Sequence, residues 1–403
     1  MFKSKAQALG ERLFLINHHY KNTAMKIFLH SFFFLFTCLF IFASPSVAQE
    51  KKWMLVPFVK QDAVNPCLGP SKAAFTDPIR KSKVAWEEKD VFNPAAVVRN
   101  NKVYLLYRAQ DVIGLPAGTS RIGLAYSSDG LHFKRLQKPV LYPDNDEYKK
   151  FEWEGGCEDP RIVEDDKGTY YMTYTAYDGT TARLFVATSK DLLKWKKHGS
   201  VFKKADGGKH VDYWSKSGSI ICTRKGSRLI ATKIKGEYWM YWGESNVYMA
   251  TSKNLIDWTP VPETDPSKKK FDSLQNYEAF KILFGTRKNK FDSELVEPGP
   301  PAIITKDGIL FIYNSKNSPT FGDKSLPDGV YAAGQILLDK NDPTKVLDRC
   351  EENFFKPDKD YEITGQVNNV CFLEGLVYFK SRWFLYYGTA DSKIAVAVHG
   401  EVK

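Results

Sequence analysis

The chain has 403 residues, 43% of them hydrophobic and 14% aromatic, enough for a large core and more than most single small domains use. Lys and Arg outnumber Asp and Glu by 58 to 47, but the excess is scattered apart from Lys268-Lys269-Lys270. No basic face with a nucleic-acid motif emerges, and the triple lysine suits a solvated loop.

Residues 1–48 read as a leader. Met25-Lys26 opens an apolar run from Ile27 to Ala43, followed by Ser44-Pro45-Ser46-Val47-Ala48. A basic start, an apolar centre and a small-residue end make a secretory signal peptide, with cleavage after Ala48. The run is short for a membrane span and no second one follows. The expectation is an exported protein, periplasmic or secreted, without membrane insertion, whose residues 49–403 form one catalytic domain. Removing the leader lowers the net charge from +11 to +7. Cys67, Cys157, Cys222, Cys350 and Cys371 remain. None forms a CxxC pair, which argues against zinc, and the odd count names no disulfide. No metal or other cofactor is implied.

Taken in order, the chain repeats. Five aromatic runs recur: Val103–Tyr107, Tyr170–Tyr174, Tyr238–Trp242, Ile309–Tyr313 and Trp383–Tyr387. Their starts lie 67, 68, 71 and 74 residues apart. A second element follows the first three: Ile122–Asp129, Leu184–Asp191 and Val247–Asn254, each leading to an aromatic residue, Phe133, Trp195 or Trp258. Looser versions, Val330–Gly334 and Ile394–Val398, follow the last two. Short aromatic and β-branched strands at even spacing argue an all-β fold. Five repeats of about one sheet each predict a five-bladed β-propeller. A pair of β-sandwich domains is the competing architecture. In a propeller, polar residues at inner-strand ends converge on one pocket.

Chemistry concentrates at such ends. Gly155-Gly156-Cys157-Glu158-Asp159-Pro160-Arg161 packs two carboxylates and a guanidinium into four residues. Glycines permit close backbone approach to a ligand, and Pro160 fixes a φ angle. The alternative is a surface turn with a local Asp–Arg pair. The other repeats contribute Asn93, Arg108 and Asp111, then Lys216 and Glu244, then Glu297 and Tyr313, then Asp391. Recurring carboxylates suit glycoside cleavage, in which one carboxyl protonates the leaving oxygen and another activates water or attacks. Glu244 and Glu297 also fit as ordinary exposed carboxylates, and Arg108, Arg161 and Lys216 as ion-pair partners. Asp129 and Asp191 read as turn residues. Neither a Gly-x-Ser-x-Gly elbow nor an HExxH helix occurs.

Phe92-Asn93-Pro94-Ala95, Tyr107-Arg108, Glu158-Asp159-Pro160-Arg161, Ala187–Leu192, Gly299-Pro300-Pro301-Ala302-Ile303 and Tyr387–Asp391 together resemble glycoside hydrolase family 130, the mannoside phosphorylases and β-mannosidases. The resemblance implies a five-bladed propeller, a mannose-containing oligosaccharide or glycan as ligand, and a mannosyl site of Asn93, Arg108, Asp159 and Asp391. In the family's phosphorylases the aspartate matching Asp159 gives a proton through a sugar hydroxyl; in this chain Asp159 or a glutamate supplies the leaving-group proton. Where phosphorylases show His-Arg-Pro and Tyr-His-Gly, this chain has Trp242-Gly243-Glu244 and Tyr313-Asn314-Ser315. A phosphate dianion wants Arg, Lys or His donors, and Glu244 would repel it. These departures are similar to the family's exported β-1,2-mannosidases, in which a glutamate serves as base for water. Glu297 is favoured over Glu244 as that base, because Glu297-Pro298-Gly299-Pro300-Pro301 is a stiff loop. The expectation is an inverting β-1,2-mannosidase. A mannoside phosphorylase using Lys216 and a propeller that binds glycans without cleaving them are the alternatives. An arabinanase-like enzyme lacks the quoted motifs.

Overall fold

A computed structural model describes residues 51–268 and 280–400 of the protein. The leader and Lys269-Lys270 lie outside the described residues. The chain begins with β1 (Val59–Lys60) and a hairpin of β2 (Ala74–Asp77) and β3 (Ser82–Ala85). Four-stranded antiparallel units follow. The first is β4 (Asp90–Arg99), β5 (Lys102–Gln110), β6 (Ser120–Ser127) and β7 (Lys134–Arg135). The second is β8 (Gly156–Glu164), β9 (Tyr170–Tyr177), β10 (Ala182–Ser189) and β11 (Lys196–Ser200). The third begins with β12 (Ser219–Ile220). A side hairpin, β13 (Cys222–Lys225) and β14 (Arg228–Ala231), precedes its remaining strands, β15 (Tyr238–Trp242), β16 (Asn246–Ser252) and β17 (Thr259–Pro260), and β18 (Ile282–Gly285) also pairs with β16. In the fourth, β19 (Leu295–Pro298) and β20 (Ile303–Ile304) both pair with β21 (Ile309–Lys316), which continues to β22 (Tyr331–Leu338) and β23 (Val346–Arg349). The fifth is β24 (Cys371–Phe379), β25 (Arg382–Thr389) and β26 (Lys393–His399), and β1 supplies its fourth strand. The class is all-β, as the aromatic runs predict.

Each aromatic run is the second strand of its unit. The first strands are buried along nearly their whole length, β8 at every residue. A strand covered on both faces shows no alternation, so these strands are visible in sequence only through their charged residues. The turns after the third strands are built alike. Ser127, Ser189 and Ser252 accept backbone N–H bonds, and Asp129, Asp191 and Asn254 each accept two more. Asp129 and Asp191 are turn residues, as expected.

A buried polar lock recurs in four units. The fifth residue of the aromatic run is Tyr107, Tyr174, Tyr313 or Tyr387. Each donates its hydroxyl at 2.8 Å to a buried carboxylate that precedes the unit's first strand: Glu87, Glu152, Asp292 or Glu362. Glu152 and Glu362 sit on single-turn helices, α1 (Lys149–Glu152) and α2 (Asp360–Ile363). Each carboxylate pairs with a cation from the outermost strand: Arg135 at 3.1 Å, Lys197 at 2.5 Å, Arg349 at 2.5 Å and Lys60 at 2.6 Å. The segment before the first strand, the second strand and the outermost strand of each such unit are thus tied together by a buried charge network. The third unit departs. Trp242 takes the tyrosine's place and packs on Phe202, Tyr248 and Phe280, with ring centroids 4.7, 5.1 and 5.8 Å away.

All five cysteines from Cys67 onward are free thiols. No disulfide reinforces the described residues.

Candidate active site

The first strands deliver the site. Asn93 comes from β4, Glu158, Asp159 and Arg161 from β8, Lys216 and Ser217 from the residues just before β12, Glu297 from β19 and Glu374 from β24. Three of these strands bulge at the site: between Phe92 and Pro94, between Glu158 and Arg161, and between Leu373 and Gly375. A bulge lifts a residue out of the ladder and re-aims its side chain. The lifted residues are Asn93, Asp159 with Pro160, and Glu374. Asn93, Asp159 and Asp391 hold φ of 48°, 47° and 49°, a left-handed conformation that persists only where the surroundings enforce it.

One half of the site is built on Asp159. Asn93 Nδ2 donates to Asp159 Oδ1 at 3.0 Å, and Arg108 Nη1 reaches the same oxygen at 3.2 Å. Arg108 Nη2 binds Glu158 Oε1 at 2.7 Å, and Ser120 donates to that oxygen at 3.2 Å. Asn93 Oδ1 is buried with no hydrogen-bond partner. A Cβ on Gly388 would lie 2.3 Å from it, so only glycine fits there. Burial works to raise the Asp159 pKa, but Arg108, Lys216, Arg161 and the Asn93 bond outweigh it and hold it at about 2. Asp391 goes the other way: burial first, then Asp159 and Asp90, push it up to about 7 against Arg108 and Lys216.

The other half is built on Glu244 and Glu297. Glu244 follows β15, and its Oε2 accepts the Trp214 indole N–H at 2.9 Å. Glu297 Oε1 accepts a hydrogen bond from Ser217. Burial, then the neighbouring Glu244, push Glu297 up to about 7, while Lys216, Arg161 and Ser217 pull it down. Lys216 faces both glutamates. Burial alone would lower its pKa, but Glu244, Glu297, Asp159 and Glu158 raise it, so it stays an ammonium.

Arg161, expected on the substrate, is fully buried behind it. It donates to the carbonyls of Asp159 and Pro298 at 2.9 Å each and pairs with Glu374 at 3.0 Å. It ties the strand of Asp159 to that of Glu297. Two expected residues are not brought to the site. Asp111 is buried against Arg121 at 2.7 Å and caps the backbone N–H groups of Gly114 and Thr119. Tyr313 spends its hydroxyl on Asp292 in the fourth unit's lock, and Arg349 donates to it at 3.1 Å. The close approach that glycine permits at Gly156 (φ 114°) is to Ser120 of β6, not to a ligand: an added Cβ would lie 2.2 Å from the Ser120 carbonyl oxygen. Asn314, at one departure from the phosphorylase pattern, bonds the Leu373 backbone in both directions at 3.0 and 2.8 Å.

Sequence reasoning missed four residues. Trp214 and Ser217 flank Lys216. Glu374 sits in the apolar run of β24. Tyr331 starts β22, and its phenol is raised by burial, then by Glu297, Asp391 and Glu244, so it faces both halves. Tyr331 carried a signal, an aromatic opening the fourth repeat's second element. Glu374, a lone acid in a strand of apolar neighbours, carried another.

Asparagine, arginine and carboxylates converging on one site fit hydroxyl-rich ligands, and comparison with known proteins is specific. A family profile described as β-1,4-mannooligosaccharide phosphorylase matches residues 62–402. The chain belongs to glycoside hydrolase family 130. The resemblance carried by Phe92–Ala95, Glu158–Arg161 and the other motifs is borne out, and the protein is an enzyme of β-mannosides. A 1,2-β-oligomannan phosphorylase of Thermoanaerobacter sp. (strain X514) is 32% identical over 79% of this chain and 92% of its own length. Among solved structures, a glycosyl hydrolase from Bacteroides ovatus is 46% identical with a TM-score of 0.82, covering 88% of this chain and 96% of that one. A second, with the same identity, TM-score and coverage, is described by the statement that the GH130 family of mannoside phosphorylases contains glycoside hydrolases that target β-1,2-mannosidic linkages in Candida mannan.

Proposed function

We propose that this family 130 enzyme is an exported hydrolase that cleaves β-1,2-linked mannosides with inversion. The observation that carries the reading is the pair Glu244 and Glu297 around Lys216, where a phosphorolytic enzyme needs to hold a dianion. Glu244 already raises the Glu297 pKa. A phosphate would add two more negative charges against one ammonium, whereas a neutral water adds none. Identity of 46% with the hydrolase structures against 32% with the oligomannan phosphorylase supports the same choice.

In this reading the five antiparallel units are the blades of a propeller formed by residues 49–403, and residues 1–48 are the export signal. Asn93, Arg108, Asp159, Glu158 and Asp391 hold the mannosyl unit. Glu297, poised near 7, takes a proton from water as it attacks the anomeric carbon, in one displacement. The leaving oxygen takes up one proton. Asp159, an expected donor through a sugar hydroxyl, is held at about 2; ionised at neutral pH, it accepts sugar hydroxyls and has no proton of its own to give. Its neighbour Asp391, at about 7, is the reservoir from which that proton comes. One proton is taken from water and one is given to the leaving sugar, so the reaction balances.

Lys216 and the phosphorylase relative favour a second reading, phosphorolysis. Incubation with β-1,2-mannobiose, with and without inorganic phosphate, separates the two. Equal mannose release in both supports hydrolysis. Mannose 1-phosphate formed only with phosphate overturns it.

A further inference from the structure

Both glutamates are held by one short segment. Trp214, Ser215, Lys216 and Ser217 link β11 to β12. Trp214 donates to Glu244 Oε2 at 2.9 Å, Ser217 donates to Glu297 Oε1, and Lys216 between them faces both carboxylates. The segment is itself fixed. Ser215 Oγ accepts the Leu184 N–H at 2.8 Å, the Lys216 carbonyl accepts the Gly243 N–H at 3.0 Å, and Thr173 donates to the Gly218 carbonyl at 3.0 Å. Ser217 adopts φ of 54°, a left-handed turn of the chain, and Trp214 and Ser217, three residues apart, reach different glutamates. The glutamates come from separate elements, joined by the Ser245 N–H donating to the Val296 carbonyl at 3.0 Å.

We infer that Trp214 and Ser217 are positioning residues that give the two glutamates different tasks, each occupying one carboxylate oxygen and leaving the other for the reaction. Two like carboxylates placed alike around one ammonium would share a proton between them. Here a hydroxyl holds one, an indole N–H the other, and the burial differs: Glu297 is 5% exposed, Glu244 half-buried. The groups facing Glu297 are Lys216 from the segment, Glu244 from the β15–β16 turn, Arg161 from β8, Glu374 from β24 and Tyr331 from β22. The Ser217 bond favours the ionised form, so its loss raises the pH at which Glu297 ionises. This inference deepens the hydrolytic reading and rests on it for the kinetic arm alone.

The test uses Trp214→Phe, Ser217→Ala and Ser217→Gly, the last because glycine takes a φ of 54° without strain. In the kinetic arm, with β-1,2-mannobiose, each variant is expected to lose roughly 10–100-fold in kcat, as for other residues that orient a reacting group, with KM little changed. Both Ser217 variants move the acid limb of kcat/KM to higher pH, and Trp214→Phe does not. The second arm needs no activity. Glutamate carboxyl resonances are titrated by carbon-13 NMR, with Glu297→Gln and Glu244→Gln supplying the assignments. The Glu297 resonance is expected to titrate at higher pH in Ser217→Gly than in the wild type. An unchanged titration there, or kcat and KM altered together with an unmoved pH profile, overturns the inference. Absence of wild-type hydrolysis would strike the functional reading only, and the titration would still decide this one.

Discussion

Two sets of carboxylates lie in the same units and are treated in opposite ways. At the periphery, Glu87, Glu152, Asp292 and Glu362 each receive a tyrosine hydroxyl and a cation from the outermost strand. At the site, Asp159, Glu244, Glu297, Glu374 and Asp391 crowd one another and share Arg108, Arg161 and Lys216. Glu374 has no hydrogen bond on either oxygen beyond its ion pair with Arg161. A buried acid with all its bonds made stabilises a fold; one left with spare oxygens and like-charged neighbours costs stability and is free to react. A raised pKa does not separate the two sets. Glu152 is pushed up to about 7 by burial, the same value as Glu297, yet Tyr174 and Lys197 occupy its oxygens.

The contrast can be broken most forcefully at Glu297. Glu297→Gln should lower kcat by about 10²–10⁴-fold, the usual share of a general base, in a mannose-release assay on folded protein. A loss of a few-fold would move Glu297 to the structural set. The pH profile comes next. Glu297 must be ionised and Asp391 protonated, both near 7, so kcat/KM should form a narrow bell centred near pH 7, falling tenfold per unit on each side. Glu152→Gln should leave both limbs in place despite its similar pKa; a displaced limb would erase the distinction.

Stability measurements sharpen it from the other side. Glu362 accepts bonds from Tyr387, Lys60 and the N–H groups of Asp358 and Lys359. Glu362→Gln should cost about 3 kcal/mol in denaturant unfolding, the scale of a broken buried pair, with kcat per folded molecule unchanged. Glu297→Gln should do the reverse. A carboxyl raised in the folded state keeps its proton after the unfolded chain has lost it, so stability is full below about pH 4.5 and falls as pH rises toward 7. Gln removes that loss and should add about 3 kcal/mol at pH 8 and nothing at pH 4. The smallest effect belongs to Tyr387→Phe, about 1 kcal/mol for one buried hydrogen bond, again without change in kcat.

Sequence and structure agree where periodicity or a dense motif marks the element. The aromatic runs are second strands, and Glu158–Arg161, expected at the end of a strand that meets the pocket, lies inside β8, which has no alternation of its own. The outer strands β1, β7 and β17 have two residues each and leave no pattern. The locks escaped because their members are distant: Lys60 and Glu362 stand 302 residues apart, although a tyrosine at the same place in four runs pointed to a shared task. Asp111 and Tyr313 were misplaced for the same reason. A strand-end position fits both a pocket and a buried network, and only the partners, Arg121 and Asp292, decide. Trp214 and Ser217 lie in a connection without periodicity.

The most direct test follows the anomeric protons of mannose by NMR as β-1,2-mannobiose is digested in phosphate-free buffer. Single displacement by water releases the non-reducing unit as α-mannose, so the α-anomer starts above its equilibrium share and relaxes to it by mutarotation. No mannose without phosphate, or an initial excess of β-mannose over its equilibrium share, would contradict an inverting hydrolase built on Glu244 and Glu297.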